Sequence, residues 1–213
     1  MKNNKVKVIA EIGPNHNGDY KKALRMITFL KKLNIYGVKF QINNVEKSYS
    51  KDSFKANYQK NQIKETPSEM ALKYQLSKKH HKLIKDFCDK IKINYLCSPF
   101  DLDSTKFLCE TLKLKIIKIA SGEILSLDIL NYLSKKNVEI ILSTGMSTLD
   151  EIQKAISILN QFKRKKLTIL HCTSCYPTKK NEANLNFIDT LRKKFDYDIG
   201  FSDHTIGNDA SIM

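Results

Sequence analysis

Seven short apolar runs rich in β-branched residues recur along the chain, at 7–12, 37–42, 93–98, 115–120, 138–143, 167–172 and 198–202. Runs of this length suit strands, and their nearly continuous Ile, Val and Leu content suits strands covered on both faces, as in a parallel sheet. Helical spacing fills the gaps. Asp19 and Tyr20 open a segment through Leu33 that sets Ala23, Met26, Ile27 and Leu30 at i, i+3, i+4 and i+7, and further helical patterns cover 69–91, 103–112, 125–135, 148–162 and 184–195. Such strict alternation predicts an α/β fold of parallel βαβ units. Seven strands make either an open sheet or a (β/α)8 TIM barrel truncated after its seventh strand, and the truncated barrel is the expectation. Residues 1–213 read as one barrel domain, and the polar stretch 43–68, with Tyr49, Phe54 and Tyr58, reads as a functional loop or lid.

The run LKLKIIKIASGEI, at 112–124, is the most informative of the seven. It starts as a buried strand and ends in Lys118, Ser121 and Glu123 around a glycine, an arrangement that core packing alone does not ask for. In α/β barrels the C-terminal ends of the strands carry the chemistry. Strict alternation would put Lys118 on one face and Ser121 and Glu123 on the other, so the pleat is expected to break near Gly122.

The other strand ends follow the same design. The first offers Glu11 and a Gly13–Gly18 turn containing His16. The second offers Lys39 and Gln41 on one face, and the third Ser98 and Asp101. The fifth offers Ser143, Thr144 and Gly145, the sixth His171, Thr173, Ser174 and Tyr176, and the seventh Ser202, Asp203 and His204. Lysines with seryl and threonyl hydroxyls and glycine-opened backbone suit a phosphate or carboxylate. Either lysine could instead snorkel to solvent from its strand. Glu11 and Glu123 could do acid–base work, and His204 beside Asp203 suits a metal ligand or a proton carrier.

Composition narrows the function classes. The formal charge is +15, yet only three of the 37 basic residues are arginine, and pairs such as Lys21-Lys22, Lys78-Lys79 and Lys193-Lys194 look like solvated helix faces. Without an aromatic-interleaved basic stripe, nucleic acid is not an expected partner, although the positive field favours an anionic small substrate. No apolar run approaches the roughly 18 residues of a membrane span and the N-terminus lacks a signal-peptide layout, so a cytoplasmic protein without a membrane partner is expected. Five cysteines read as reduced thiols. The single Cys172–Cys175 pair lacks a following helix N-terminus and is not expected to serve redox or zinc chemistry. His171 is expected in the core, and His80 and His81 on a lysine-rich helix surface.

Taken together, AEIGPNHNG, GVKFQ, LCSPFD, KIASGE, ILSTGM, LHCTSCYPT and GFSDHT resemble the sialic acid synthase family, the NeuB-like enzymes, in order and approximate spacing along essentially the whole chain. The resemblance implies a (β/α)8 barrel that condenses phosphoenolpyruvate with an N-acylated hexose such as N-acetylmannosamine. The implied product is a nine-carbon 2-keto acid for surface carbohydrate biosynthesis. It implies a divalent metal, typically Mn2+ with Mg2+ as the alternative. Lys39, Ser98, Lys118, Ser121 and Ser202 match positions that hold the phosphate and carboxylate. Glu123 matches an acidic residue near the reacting carbon, Glu11, Gln41 and Tyr176 match sugar-side positions, and His204 matches one of two metal histidines. At Ser174 some relatives carry Asn, which leaves the acceptor open among the N-acetylneuraminate, legionaminate and pseudaminate types. His16 falls at the site mouth in a supporting place. The family's eighth strand, with its second metal histidine, and its C-terminal antifreeze-like domain have no counterpart in these residues. A homodimer is implied for a full-length relative, and the alternative reading of this chain is an inactive remnant or a phosphate- and sugar-binding module.

Overall fold

The computed structural model describes residues 6–48, 66–163 and 166–212. Its strands are β1 Ile9–Glu11, β2 Gly37–Ile42, β3 Asn94–Pro99, β4 Ile116–Ile119, β5 Glu139–Ser143, β6 Leu167–His171 and β7 Asp198–Phe201. The helices are α1 Tyr20–Lys32, α2 Val45–Ser48, α3 Pro67–Tyr74, α4 Lys78–Lys90, α5 Leu102–Lys106, α6 Leu127–Ser134, α7 Leu149–Leu159, α8 Phe187–Lys194 and α9 Asp209–Ile212. All seven expected strands are present, shorter than expected by up to three residues. Tyr49, Phe54 and Tyr58 lie outside the described residues.

The described residues fall into two compact units, one ending at Lys113 and the next beginning at Leu114. The first carries a parallel sheet of order β1-β2-β3, the second a parallel sheet of order β4-β5-β6-β7. Strand order follows chain order in both, with a helix in the crossover between each pair of neighbouring parallel strands. In the first unit the central strand β2 is buried at every position except Gln41, with Val38, Phe40 and Ile42 joined by Ile27 of α1 and Ile84 and Cys88 of α4 in the core. In the second, Ile117, Ile119, Ile140, Leu142, Leu167 and Ile169 form the sheet's share of the core, and the helices add Leu130, Leu133, Ile152 and Leu191.

Local chemistry sets the helix boundaries. Asp19 accepts the Lys22 N–H at the start of α1, and Thr148 and Glu151 close a capping box on α7. The periodic stretch 69–91 divides into two helices. Gln75 takes extended backbone, Leu76 is 1% exposed, and Ser77 accepts the His80 N–H to start α4 afresh. A serine able to cap and a leucine anchored in the core therefore outweigh helical periodicity. The stretch 103–112 begins as α5, capped by Asp101, and ends as a π-helical turn, Phe107–Thr111, in which the Leu112 N–H reaches the Phe107 carbonyl. The lysine pairs lie on exposed faces: Lys21, Lys31, Lys32, Lys78, Lys79, Lys193 and Lys194 are all solvent-facing.

One expectation fails here. His81 is not a surface residue: it is fully buried, its Nδ1 is 2.6 Å from the Tyr95 hydroxyl, and its ring meets the edge of Phe40. The lysines flanking it along the sequence suggested a polar face, but α4 turns His81, Ile84 and Cys88 toward β3 as its buried stripe. Burial, and then the charges of His16 and His80, hold the His81 imidazole down at about 4. All five cysteines are free. Cys88, Cys97 and Cys172 are buried, and burial pushes the thiols of Cys88 and Cys97 up to about 12.

The buried histidine predicts an acid-sensitive fold. The unfolded chain protonates His81 near its ordinary value of about 6.5, while the folded chain resists down to about 4. The stability this histidine contributes is therefore present above pH 6.5 and lost as pH falls through that window, up to about 3 kcal/mol in all. Urea unfolding from pH 7 to pH 4.5 should show this loss, and His81→Phe should remove much of the slope.

Candidate functional site

In the first unit, parallel register sets the C-terminal halves of the strands side by side: Glu11 pairs with Lys39, and Gln41 with Ser98. Val38 and Phe40 point into the core, so the two-residue period turns Lys39 and Gln41 to the other face. Lys39 is only 7% exposed, and a buried ammonium needs an anion beside it. Glu11 supplies one through an ion pair, while its own carboxylate stays partly open to solvent and accepts the Gly13 N–H at 3.1 Å. The Gln41 amide donates to the Gly13 carbonyl at 3.4 Å, which ties the first turn to β2. His16 is buried beside that turn, stacks on Phe40 and accepts the Gly18 N–H at 3.0 Å, a supporting rather than a contacting place. Asp101 is committed to structure: it caps α5 and accepts the Asn44 N–H at 2.6 Å.

In the second unit, the pleat breaks where expected, in a 3-10 turn over Ser121–Glu123 directly after β4. Lys118 projects from the half-buried face of β4, opposite Ile117 and Ile119. The turn brings Ser121 against the end of β5. The Gly145 N–H donates to Ser121 Oγ at 3.1 Å and to Cys172 Sγ at 3.2 Å, and these two side-chain atoms are themselves 3.1 Å apart. A Cβ on Gly145 would stand 2.5 Å from Ser174 Oγ and 2.9 Å from Cys172 Sγ, so Ser121, Gly145, Cys172 and Ser174 form one tight cluster. Beyond it, the rings of Tyr176 and His204 lie 4.3 Å apart, and Ser202 Oγ is 3.3 Å from His204 Nε2. A pocket of about 410 Å³ opens at the ends of β5 and β6 between Met146, Cys172, Ser174, Glu182 and Phe187. A larger hollow of about 620 Å³ sits at the N-terminal ends of β6 and β7 among solvated charged side chains, where no candidate residue lies.

Two buried hydroxyls stand out. Ser98 Oγ and Ser143 Oγ, at the ends of β3 and β5, have no hydrogen-bond partner among the described residues. An unsatisfied buried hydroxyl costs about 1–3 kcal/mol, so such groups mark places where a ligand or water completes the bonding. Ser98 is a candidate from sequence, whereas Ser143 stands at its strand end without a role assigned to it. Its placement after IIL, like that of Ser98 after YLC, was the signal available. Cys172 was set aside with the Cys172–Cys175 pair, yet its thiol lies inside the cluster. His171 holds the expected core position, with Nε2 2.7 Å from the Ala183 carbonyl.

His204 Nδ1 lies 2.7 Å from the Thr173 carbonyl, so that nitrogen carries the proton and Nε2 presents the lone pair. The histidine therefore fits the role of one metal ligand. Asp203 does not orient it, because its carboxylate accepts from Thr205 and Ser211 instead. Partial burial works against Asp203 ionising, but those donors and the nearby His204 outweigh it and hold the carboxyl below its ordinary range. No group of three His, Cys, Asp or Glu side chains able to hold a metal occurs among the described residues. No helix among them is long and apolar enough to cross a membrane.

This is an α/β protein with parallel sheets whose strands carry lysine, seryl and carboxylate side chains at or near their C-terminal ends. The chain belongs to the NeuB family, whose model matches residues 26–213. It is 42% identical over 212 residues to the N,N'-diacetyllegionaminic acid synthase of Campylobacter jejuni, covering 98% of this chain and 63% of that protein. It is 36% identical to the enzyme of the same name from Legionella pneumophila, covering 94% of this chain and 58% of the relative. The chain thus spans about three fifths of the length of these relatives. In structure it is similar to an N-acetylneuraminic acid synthetase from Leptospira borgpetersenii, with a TM-score of 0.85 at 32% identity over 97% of this chain and 68% of that one.

The cluster around Gly145 makes a direct prediction. Gly145→Ala should lower stability by about 1–3 kcal/mol in thermal or urea unfolding, because buried Cys172 leaves the new methyl nowhere to go. Gly122→Ala, in the same site but with no atom within 4 Å of the added Cβ, should change stability by less than about 0.5 kcal/mol.

Proposed function

We propose that this chain is the greater part of a (β/α)8 barrel that condenses phosphoenolpyruvate with an N-acylated hexose, giving a nine-carbon 2-keto sugar acid and phosphate. The observation that carries the reading is one orphaned seryl hydroxyl in each unit: Ser98 at the end of β3, whose neighbour β2 carries Lys39, and Ser143 at the end of β5, whose neighbour β4 carries Lys118. Buried donors on strands adjacent to lysine-bearing strands suit an anion with many acceptor oxygens. Identity of 42% and 36% to two N,N'-diacetyllegionaminic acid synthases supports a di-N-acetylated hexose as the first acceptor to test.

The residues divide the work by chemistry. In the first unit Lys39 and Ser98 bind anionic oxygens, and Glu11 and Gln41 take sugar hydroxyls. In the second, Lys118, Ser121, Ser143 and Ser202 bind phosphate or carboxylate oxygens. Glu123 stabilises the positive charge that develops at C2 and takes part in proton transfer as water adds there. Ser174 and Tyr176 face the acceptor. A divalent metal, Mn2+ by expectation, would take Nε2 of His204 and supply Lewis-acid polarisation of the aldehyde oxygen. The site chemistry suits a cytoplasmic enzyme working on soluble metabolites.

The test is phosphate release from phosphoenolpyruvate with Mn2+ and a panel of acceptors: N-acetylmannosamine and mono- and di-N-acetylated hexoses. Release should require both metal and one acceptor, should fall at least about 100-fold in Glu123→Gln, and should show a KM for phosphoenolpyruvate raised at least about tenfold in Lys118→Met. Release independent of acceptor, or undiminished in Glu123→Gln, would overturn the reading. No release at all would favour a non-catalytic binding module.

A further inference from the structure

In the second unit α6 starts without a side-chain cap, as α8 does at Asn186, but at α6 the residue is a serine in extended backbone. Ser126 stands at its N-cap with φ −73° and ψ 91°, extended backbone of the kind that lets a serine cap a helix, yet its side chain makes no capping bond. At the starts of α1, α3, α4, α5 and α7, Asp19, Thr66, Ser77, Asp101 and Thr148 each accept a first-turn N–H through their side chains. The Ser126 hydroxyl is used elsewhere. It donates to Glu123 Oε2 at 2.5 Å, and the Ser126 N–H donates to the Glu123 carbonyl at 3.1 Å. The helix makes up part of the difference through Asp128, whose Oδ1 accepts the Ile129 N–H at 2.8 Å. A capping hydroxyl has thus been turned from the helix to the acidic side chain.

We propose that Ser126 is a positioning residue for Glu123. It holds one carboxylate rotamer through the hydroxyl while the backbone bond fixes the turn beneath it, and it favours the ionised form, since a donor to a carboxylate stabilises the charge. This assignment rests on the reading of Glu123 as the acid–base group of the reaction, but the hydrogen bond can be tested without that reading. The hydroxyl holds Oε2, and the rotamer it fixes directs the other oxygen, Oε1. Lys118 on β4 and Asp128 on α6 are the charged groups nearest in the chain on the flanking elements, and both are unaltered in the variants below.

The experiment follows the Glu123 carboxyl by 13C NMR across a pH titration of the full chain, with Glu123→Gln to assign its signal. Wild type is compared with Ser126→Ala and Ser126→Thr. In Ser126→Ala the Glu123 carboxyl should bind its proton about three- to tenfold more tightly, moving its midpoint up by about half to one pH unit, and Ser126→Thr should restore the wild-type midpoint. Thermal melting at neutral pH should find Ser126→Ala lowered only by the amount the shifted midpoint implies, because no capping bond is lost with it. An unchanged midpoint in Ser126→Ala would overturn the proposal, as would Ser126→Thr titrating like Ser126→Ala. In the condensation assay, kcat should fall in Ser126→Ala with the KM for phosphoenolpyruvate little changed, and the acid limb of its pH profile should follow the NMR midpoint. A shifted midpoint in a chain that condenses no acceptor would sustain the role of Ser126 while removing the synthase reading.

Discussion

A parallel strand covered on both faces has few places for a polar side chain: its ends, or a point where an opposite charge comes with it. The structure follows from this restriction. Lys39 is the one lysine that β2 carries within its buried run, and it is accompanied by Glu11 from the neighbouring strand. The remaining chemistry lies at or just past the strand ends, where the backbone leaves the ladder: Ser98, the Ser121–Glu123 turn, Ser143, Ser174 and Ser202. The apolar runs that drive folding therefore also determine where reactive groups can stand.

The second unit shows how tightly such an end can be built. One backbone N–H, that of Gly145, is shared by Ser121 and Cys172, and the side chain of Ser174 closes over the space a Cβ would need. The cluster satisfies its own polar atoms, whereas Ser143 and, in the first unit, Ser98 do not. Burial without a partner costs more than most single interactions contribute, so these two hydroxyls are the strongest structural sign of a missing ligand oxygen.

Much of this was legible from residues alone, because strand periodicity and turn chemistry are local. The seven runs became seven strands, and Gly122 marked the break in the pleat that turns Glu123 toward its place. What escaped depended on tertiary partners. His81 looked solvated among lysines, but the helix rotates it onto Tyr95. The helix over 69–91 broke because Leu76 found a buried place that no periodicity announces. Cys172 read as half of an idle pair, since nothing local says that a thiol will meet a serine 51 residues earlier in the chain. Ser126 lies unremarked within the helical pattern 125–135, and nothing local says that its hydroxyl turns to Glu123.

The central claim, that each orphaned hydroxyl takes an anionic ligand oxygen at the strand ends of its own unit, is tested most directly by calorimetric titration of phosphoenolpyruvate into the wild-type chain, Ser98→Ala and Ser143→Ala. The account predicts measurable binding to the wild-type chain, weakened about tenfold or more by each substitution, since each removes a buried donor to a charged oxygen. Both variants should fold as well as the wild type, because the lost hydroxyls had no protein partner to lose. Binding of equal strength in all three proteins, or none to the wild type, would contradict it.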